Sequence, residues 1–148
     1  MSSWNILIVS SNQQERLNLS RVLVQHGCEA ICACNIREGL ELIEQQAVDL
    51  IFCDSELVDG SYREFLNGVR ARKSKTRVVV TSRLADWDQY LLAMRLGVFD
   101  MIALPCRPTD IQWLLIQASR EERNRLRSSG VPLPELTPDS VHPNVSAG

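Results

Sequence analysis

Five short apolar runs alternate with five amphipathic stretches, and that alternation leaves few folds open. Ile6 to Val9 is apolar throughout, Val48 to Cys53 carries a dense apolar run, and Arg77 to Thr81 holds three consecutive valines. Glu29 to Ala33 is weaker and suits an edge, and Phe99 to Leu104 supplies the last run. Helix signals lie between them. Asn12 is placed to cap a helix through about His26, stopped by Gly27, with Leu19 and Leu23 on one face. Asn35 is placed to cap a second, carrying Leu40 and Ile43. A loop then leads to a third, about Ser61 to Arg72, with Phe65, Leu66 and Val69 inward. Asp86 opens a fourth, with Leu91, Leu92, Met94 and Leu96, closed by Gly97. Pro108 suits the first position of a fifth, running past Trp113 and Leu115 to about Leu126. Strands buried on both faces and spaced by helices predict an α/β fold, a parallel sheet with right-handed crossovers.

A chain of 148 residues predicts one domain with a single core. We place it at residues 1–127. From Ser128 the chain turns to Ser, Pro and Gly without periodicity, so 128–148 is expected to be a disordered tail. The formal charge of −2 argues against a nucleic-acid partner. No apolar run approaches the roughly 20 residues of a membrane span. MSSWNILIVSS lacks the pattern of a signal peptide, so a cytoplasmic protein is expected. Cys28, Cys32, Cys34, Cys53 and Cys106 fit no metal spacing, and free, mostly buried thiols are expected.

In such sheets ligands collect outside the carboxyl ends of the strands. There the chain places Ser10 and Ser11 after the first strand, Asp54 after the third, Thr81 after the fourth, and Leu104 before Pro105 after the fifth. DLIFCDSELVDG, Asp49 to Gly60, reads as a buried strand that delivers a carboxylate to the sheet rim. Together with VSSNQQERLNLSRVLVQHG, VVVTSR and AMRLGVFDMIALPCRP, it resembles the receiver domain of two-component response regulators over about residues 5 to 126. The resemblance implies a flavodoxin-like (βα)5 sheet in strand order 2-1-3-4-5. It makes Asp54 the candidate phosphoacceptor and Thr81 the switch hydroxyl. The family's two acidic metal ligands fall on Ser10 and Ser11. Its lysine falls on Leu104, its aromatic switch on Met101, and its loop proline on Val58.

Charge decides what these replacements cost. Two unit charges about 4 Å apart repel by about 4 kcal/mol at an effective dielectric of about 20. Mg²⁺ and a lysine normally offset this when a phosphoryl group meets a carboxylate. Serine hydroxyls are neutral, and Mg²⁺ prefers at least one or two carboxylates, so no metal or other cofactor is expected. Each 1.4 kcal/mol lost is about tenfold in rate. Glu56 lies two residues after Asp54 and Arg83 two after Thr81, and the two are expected to approach across the site. Arg83 then either replaces the lysine or joins a solvent-exposed ion pair worth about 0–1 kcal/mol.

Other residues have plainer readings. Ser10 and Ser11 suit a helix start beside Asn12, and Cys53 and Cys106 suit inert buried thiols better than a redox sensor. His26 sits at a helix end and His142 in the tail. Arg120, Arg123, Arg125 and Arg127 suit a helix C-terminus. The expected function is a non-enzymatic, single-domain receiver, degenerate at its metal site and acting through protein contacts. Expected partners are a histidine kinase, a downstream signalling protein or a second copy. The expected contact face is the fourth helix, fifth strand and fifth helix, about Asp86 to Arg125, with Met94, Met101 and Trp113 as contact or core residues. One alternative is a conventional receiver phosphorylated on Asp54. Another is a small-ligand or cofactor binder, which SSNQQ, lacking glycine after the first strand, supports weakly.

Overall fold

The computed structural model describes residues 4–72, 74–84 and 86–128. The chain divides into two compact units, residues 1–112 and 113–148. The first holds strands β1 (Asn5–Val9), β2 (Glu29–Ala33), β3 (Leu50–Asp54), β4 (Glu56–Leu57), β5 (Gly60–Ser61), β6 (Arg77–Ser82) and β7 (Asp100–Ala103). Between them run α1 (Gln13–Gln25), α2 (Ile36–Gln45), α3 (Tyr62–Ala71) and α4 (Trp87–Leu96), and α5 (Pro108–Ser128) follows β7. Within the second unit the described residues continue α5, with Leu114 and Ala118 buried and Trp113 exposed. Apart from Ser128, the expected tail lies outside the described residues, and so does His142.

The main sheet is parallel, in the order β2-β1-β3-β6-β7. Counting sheet strands alone, this is the expected 2-1-3-4-5, with β2 at an edge. Leu7, Val9, Ile51, Cys53, Val78 and Val80 belong to one core with Phe65, Leu66 and Val69 of α3. The alternate residues Ile6, Ile8, Leu50, Phe52 and Val79 are buried too, so the central strands read as continuous apolar runs. Truncating Phe65, which is fully buried, would cost about 3–5 kcal/mol.

Helix ends follow their capping residues. The side chains of Asn12, Asn35, Ser61 and Asp86 accept from backbone amides of the first turn. Gly97 closes α4 in the left-handed region at φ 94°. Gly39 has a different task, because a Cβ there would lie 2.9 Å from Phe65 Cε1 and 3.0 Å from Val9 Cγ2. Only a glycine lets α2 approach that closely. The segment expected as a loop after β3 is a tight hairpin, in which Glu56 pairs with Ser61 and Leu57 with Gly60. Its Asp59 accepts from the amides of Ile36 at 2.9 Å and Arg37 at 3.3 Å, tying the hairpin to α2.

The thiols depart from expectation. All five cysteines are free, yet only Cys28 and Cys53 are buried. Cys32 and Cys34 are exposed on either side of buried Ala33: alternation along the edge strand puts Cys32 on the opposite face from Ala33, and Cys34 lies one residue past the end of β2. Cys106 is intermediate.

Candidate functional site

Strand register brings the carboxylate and its neighbours together. Cys53 lies opposite Val9 on one side and Val80 on the other, so the end of β3 opens between the ends of β1 and β6. Asp54 itself pairs with Thr81. The Thr81 hydroxyl donates to Asp54 Oδ1 at 2.6 Å, and the Ser10 hydroxyl donates to Oδ2 at 2.6 Å. Ser10 and Thr81 are buried, while Asp54 is half-buried. Both carboxylate oxygens are thus held by neutral donors. The cleft above them measures about 940 Å³ and includes Ser11, Asp54, Glu56, Thr81, Arg83, Met101 and Leu104 in its lining.

Ser11 does different work from Ser10. Its hydroxyl donates to the Cys34 carbonyl at 2.8 Å and accepts from the Val58 amide at 3.0 Å. It therefore joins β2 to the hairpin. Met101 and Leu104 give the cleft an apolar wall, and the Leu104–Pro105 bond is cis.

Arg83 does not meet Glu56. Its ion pair is with Glu15, in the first turn of α1. Glu56 stands exposed on β4, at the lining of the cleft but without an ion pair to Arg83. Glu15 is the residue that sequence reasoning missed. Its side chain is only 16% exposed, against 63% for Arg83. Burial raises its pKa above the usual 4.5, the neighbouring Asp54 raises it further, and Arg83 pulls it down. Burial likewise pushes the Cys106 thiol up, with Asp110 and Glu15 adding to the effect, and pushes the Cys53 thiol well up, with Asp54 and Asp59 adding to it. Both thiols are therefore poor thiolate sources at neutral pH.

A family model described as the response regulator receiver domain matches residues 6–115. The chain belongs to that family. Among curated relatives it is similar to the response regulator protein PilR of Pseudomonas aeruginosa, 28% identical over 105 residues. That match covers 71% of this chain and 24% of the relative. It is also similar to the acid tolerance regulatory protein ActR of Rhizobium meliloti, 26% identical over 117 residues, covering 79% and 60%. The chain thus spans between a quarter and three fifths of the length of these relatives. Among solved structures, a receiver domain protein from Methanospirillum hungatei matches with TM-score 0.73 at 22% identity, covering 83% of this chain and 99% of that one. One from Clostridium thermocellum matches with TM-score 0.74 at 20% identity, covering 81% and 97%. The beryllofluoride-activated NtrC4 receiver domain dimer matches with TM-score 0.68 at 19% identity, covering 78% and 93%. Receiver domains are modules of two-component signalling that meet histidine kinases and other proteins, and some dimerise. No helix among the described residues is long and apolar enough to cross a membrane.

The residues present do not fit the magnesium ion that receivers of the usual pattern hold. Ser10 and Ser11, to which the resemblance assigns the metal ligands, carry hydroxyls, both already bonded. Among the described residues no group of three or more His, Cys, Asp or Glu side chains could hold a metal. Glu15 and Asp54 are the carboxylates within reach of each other, and Glu15 is engaged by Arg83.

Proposed function

We propose that this receiver is degenerate: a cytoplasmic signalling module, not an enzyme, that acts by protein contact without efficient phosphorylation of Asp54. One observation carries the reading. Asp54 Oδ2 is held at 2.6 Å by the neutral hydroxyl of Ser10, where the family's pattern puts an acidic metal ligand, while the Thr81 hydroxyl on Oδ1 is the one that pattern keeps. Ser10 and Ser11 in place of acids, and Leu104 in place of lysine, remove the charges that offset phosphoryl–carboxylate repulsion. Met101 lacks the ring that would couple Thr81 to a distant face. The five unpaired thiols agree with a reducing compartment. The partner is a protein, either a histidine kinase, a downstream regulator or a second copy of the chain.

The test is an amide NMR titration with Mg²⁺ and beryllofluoride, beside incubation with a small phosphodonor read by intact mass. No shifts around Asp54 and Thr81 and no phosphoryl adduct are expected. A robust adduct that disappears in Asp54→Ala would establish a conventional receiver instead.

A further inference from the structure

Of the three carboxylates that line the Asp54 cleft, Glu15, Asp54 and Glu56, the first two adjoin each other, and neither has a metal-ligand set around it. Glu15 reaches in from α1 and lies close enough to Asp54 to raise its own affinity for a proton. Ser10, at the end of β1, stands 3.4 Å from Glu15 Oε1 and 2.6 Å from Asp54 Oδ2, so it joins the two acids. Left alone, such a pair is a concentration of negative charge facing an open cleft. Arg83 changes that balance. It extends from the end of β6, immediately after buried Ser82, and pairs with Glu15. With Asp54 and Glu15 ionised, the three side chains sum to one negative charge rather than two.

We propose that Arg83 is the cation that offsets the Glu15–Asp54 pair: by holding Glu15 it cancels one of the pair's two charges and keeps divalent ions out. The role is autoinhibitory toward metal. It rests on the reading that the metal-dependent route is lost, and it names the group that replaces the metal's charge. A guanidinium suits the task because it stays ionised at any physiological pH and cannot act as a ligand to a metal. It also differs from a bound ion in being unable to leave. The charge it supplies therefore does not depend on magnesium supply.

Mn²⁺ titration, followed by paramagnetic broadening of amide signals around Asp54, tests this on the full chain. Wild type is expected to bind weakly. Arg83→Gln should bind about tenfold more tightly, the scale of one unit charge restored to the cleft. Arg83→Lys, which keeps the charge, should stay near wild type. Glu15→Gln combined with Arg83→Gln should return to the wild-type level. Unchanged affinity in Arg83→Gln, or tightening that survives in the double variant, overturns the assignment. Tight binding by the wild type, accompanied by beryllofluoride shifts, overturns the proposed function instead. The ratio of Arg83→Gln to wild type still decides the role of Arg83 in that case.

Discussion

The N-termini of α1 and α3 have the same sequence spacing and opposite outcomes. In α3 the cap residue Ser61 and the glutamate three positions on, Glu64, close a reciprocal box: Ser61 accepts from the first turn, and Glu64 accepts from the Ser61 amide at 3.2 Å. In α1 the pair is Asn12 and Glu15. Asn12 accepts from the Glu15 amide at 2.9 Å, but its own amide donates to the Ser10 hydroxyl at 3.1 Å. The amide that Glu15 would have satisfied is already taken. Glu15 is thereby freed to reach Asp54 and Arg83. An extra cap acceptor just upstream turns a structural glutamate into a residue of the cleft.

Ser10→Ala breaks the contrast most strongly. It strips Asp54 of one donor and Asn12 of its acceptor, at an expected cost of about 1–3 kcal/mol in urea unfolding. Glu15 should then fold back onto the Asn12 amide, and the Arg83 Nε signal should move toward that of a free guanidinium. A static Arg83 signal would show that Ser10 does not govern where Glu15 points. Ser61→Ala opens the box of α3 and should cost about 1 kcal/mol while leaving the Ser10 and Thr81 bonds to Asp54 in place.

The smallest effect is a pH slope. Burial first, and Asp54 next, raise the Glu15 pKa above 4.5, so the folded chain holds that proton more tightly than the unfolded chain. Its contribution favours folding below about 4.5 and weakens as the pH rises through the raised value. Glu15→Gln should remove this slope and hold the neutral-pH melting temperature at or slightly above that of wild type. A steeper slope in Glu15→Gln would mean that another group governs that window.

The sheet was legible because its signals are redundant. Val78, Val79 and Val80 leave little but a buried strand, and Asn35, Asp86 and Gly97 mark helix ends by side-chain chemistry that works locally. Asp54 and Thr81 were legible as strand ends. Glu15 was not, because its position in a first helical turn already has a sufficient explanation in capping and the helix dipole. Its direction depends on Ser10, a contact between elements. The same blindness paired Arg83 with Glu56. Both line the cleft, but Arg83 pairs with the less exposed Glu15. The hairpin left no local signal, since its two turn residues are Val58 and Asp59, between paired Leu57 and Gly60, and not an Asn-Gly or Asp-Gly pair. The outward thiol of Cys32 follows from alternation along a strand already assigned to an edge, and Cys34 lies one residue past the end of that strand.

The bonds of Ser11 set a cost on placing an acid at that position. Its hydroxyl both donates to the Cys34 carbonyl and accepts from the Val58 amide. An ionised aspartate accepts but cannot donate. An acid at position 11 would keep the Val58 bond and abandon Cys34, loosening the joint between β2 and the hairpin before any metal arrived to compensate. The hydroxyl is part of the frame, and a metal ligand at that position would come at the expense of a joint the fold uses.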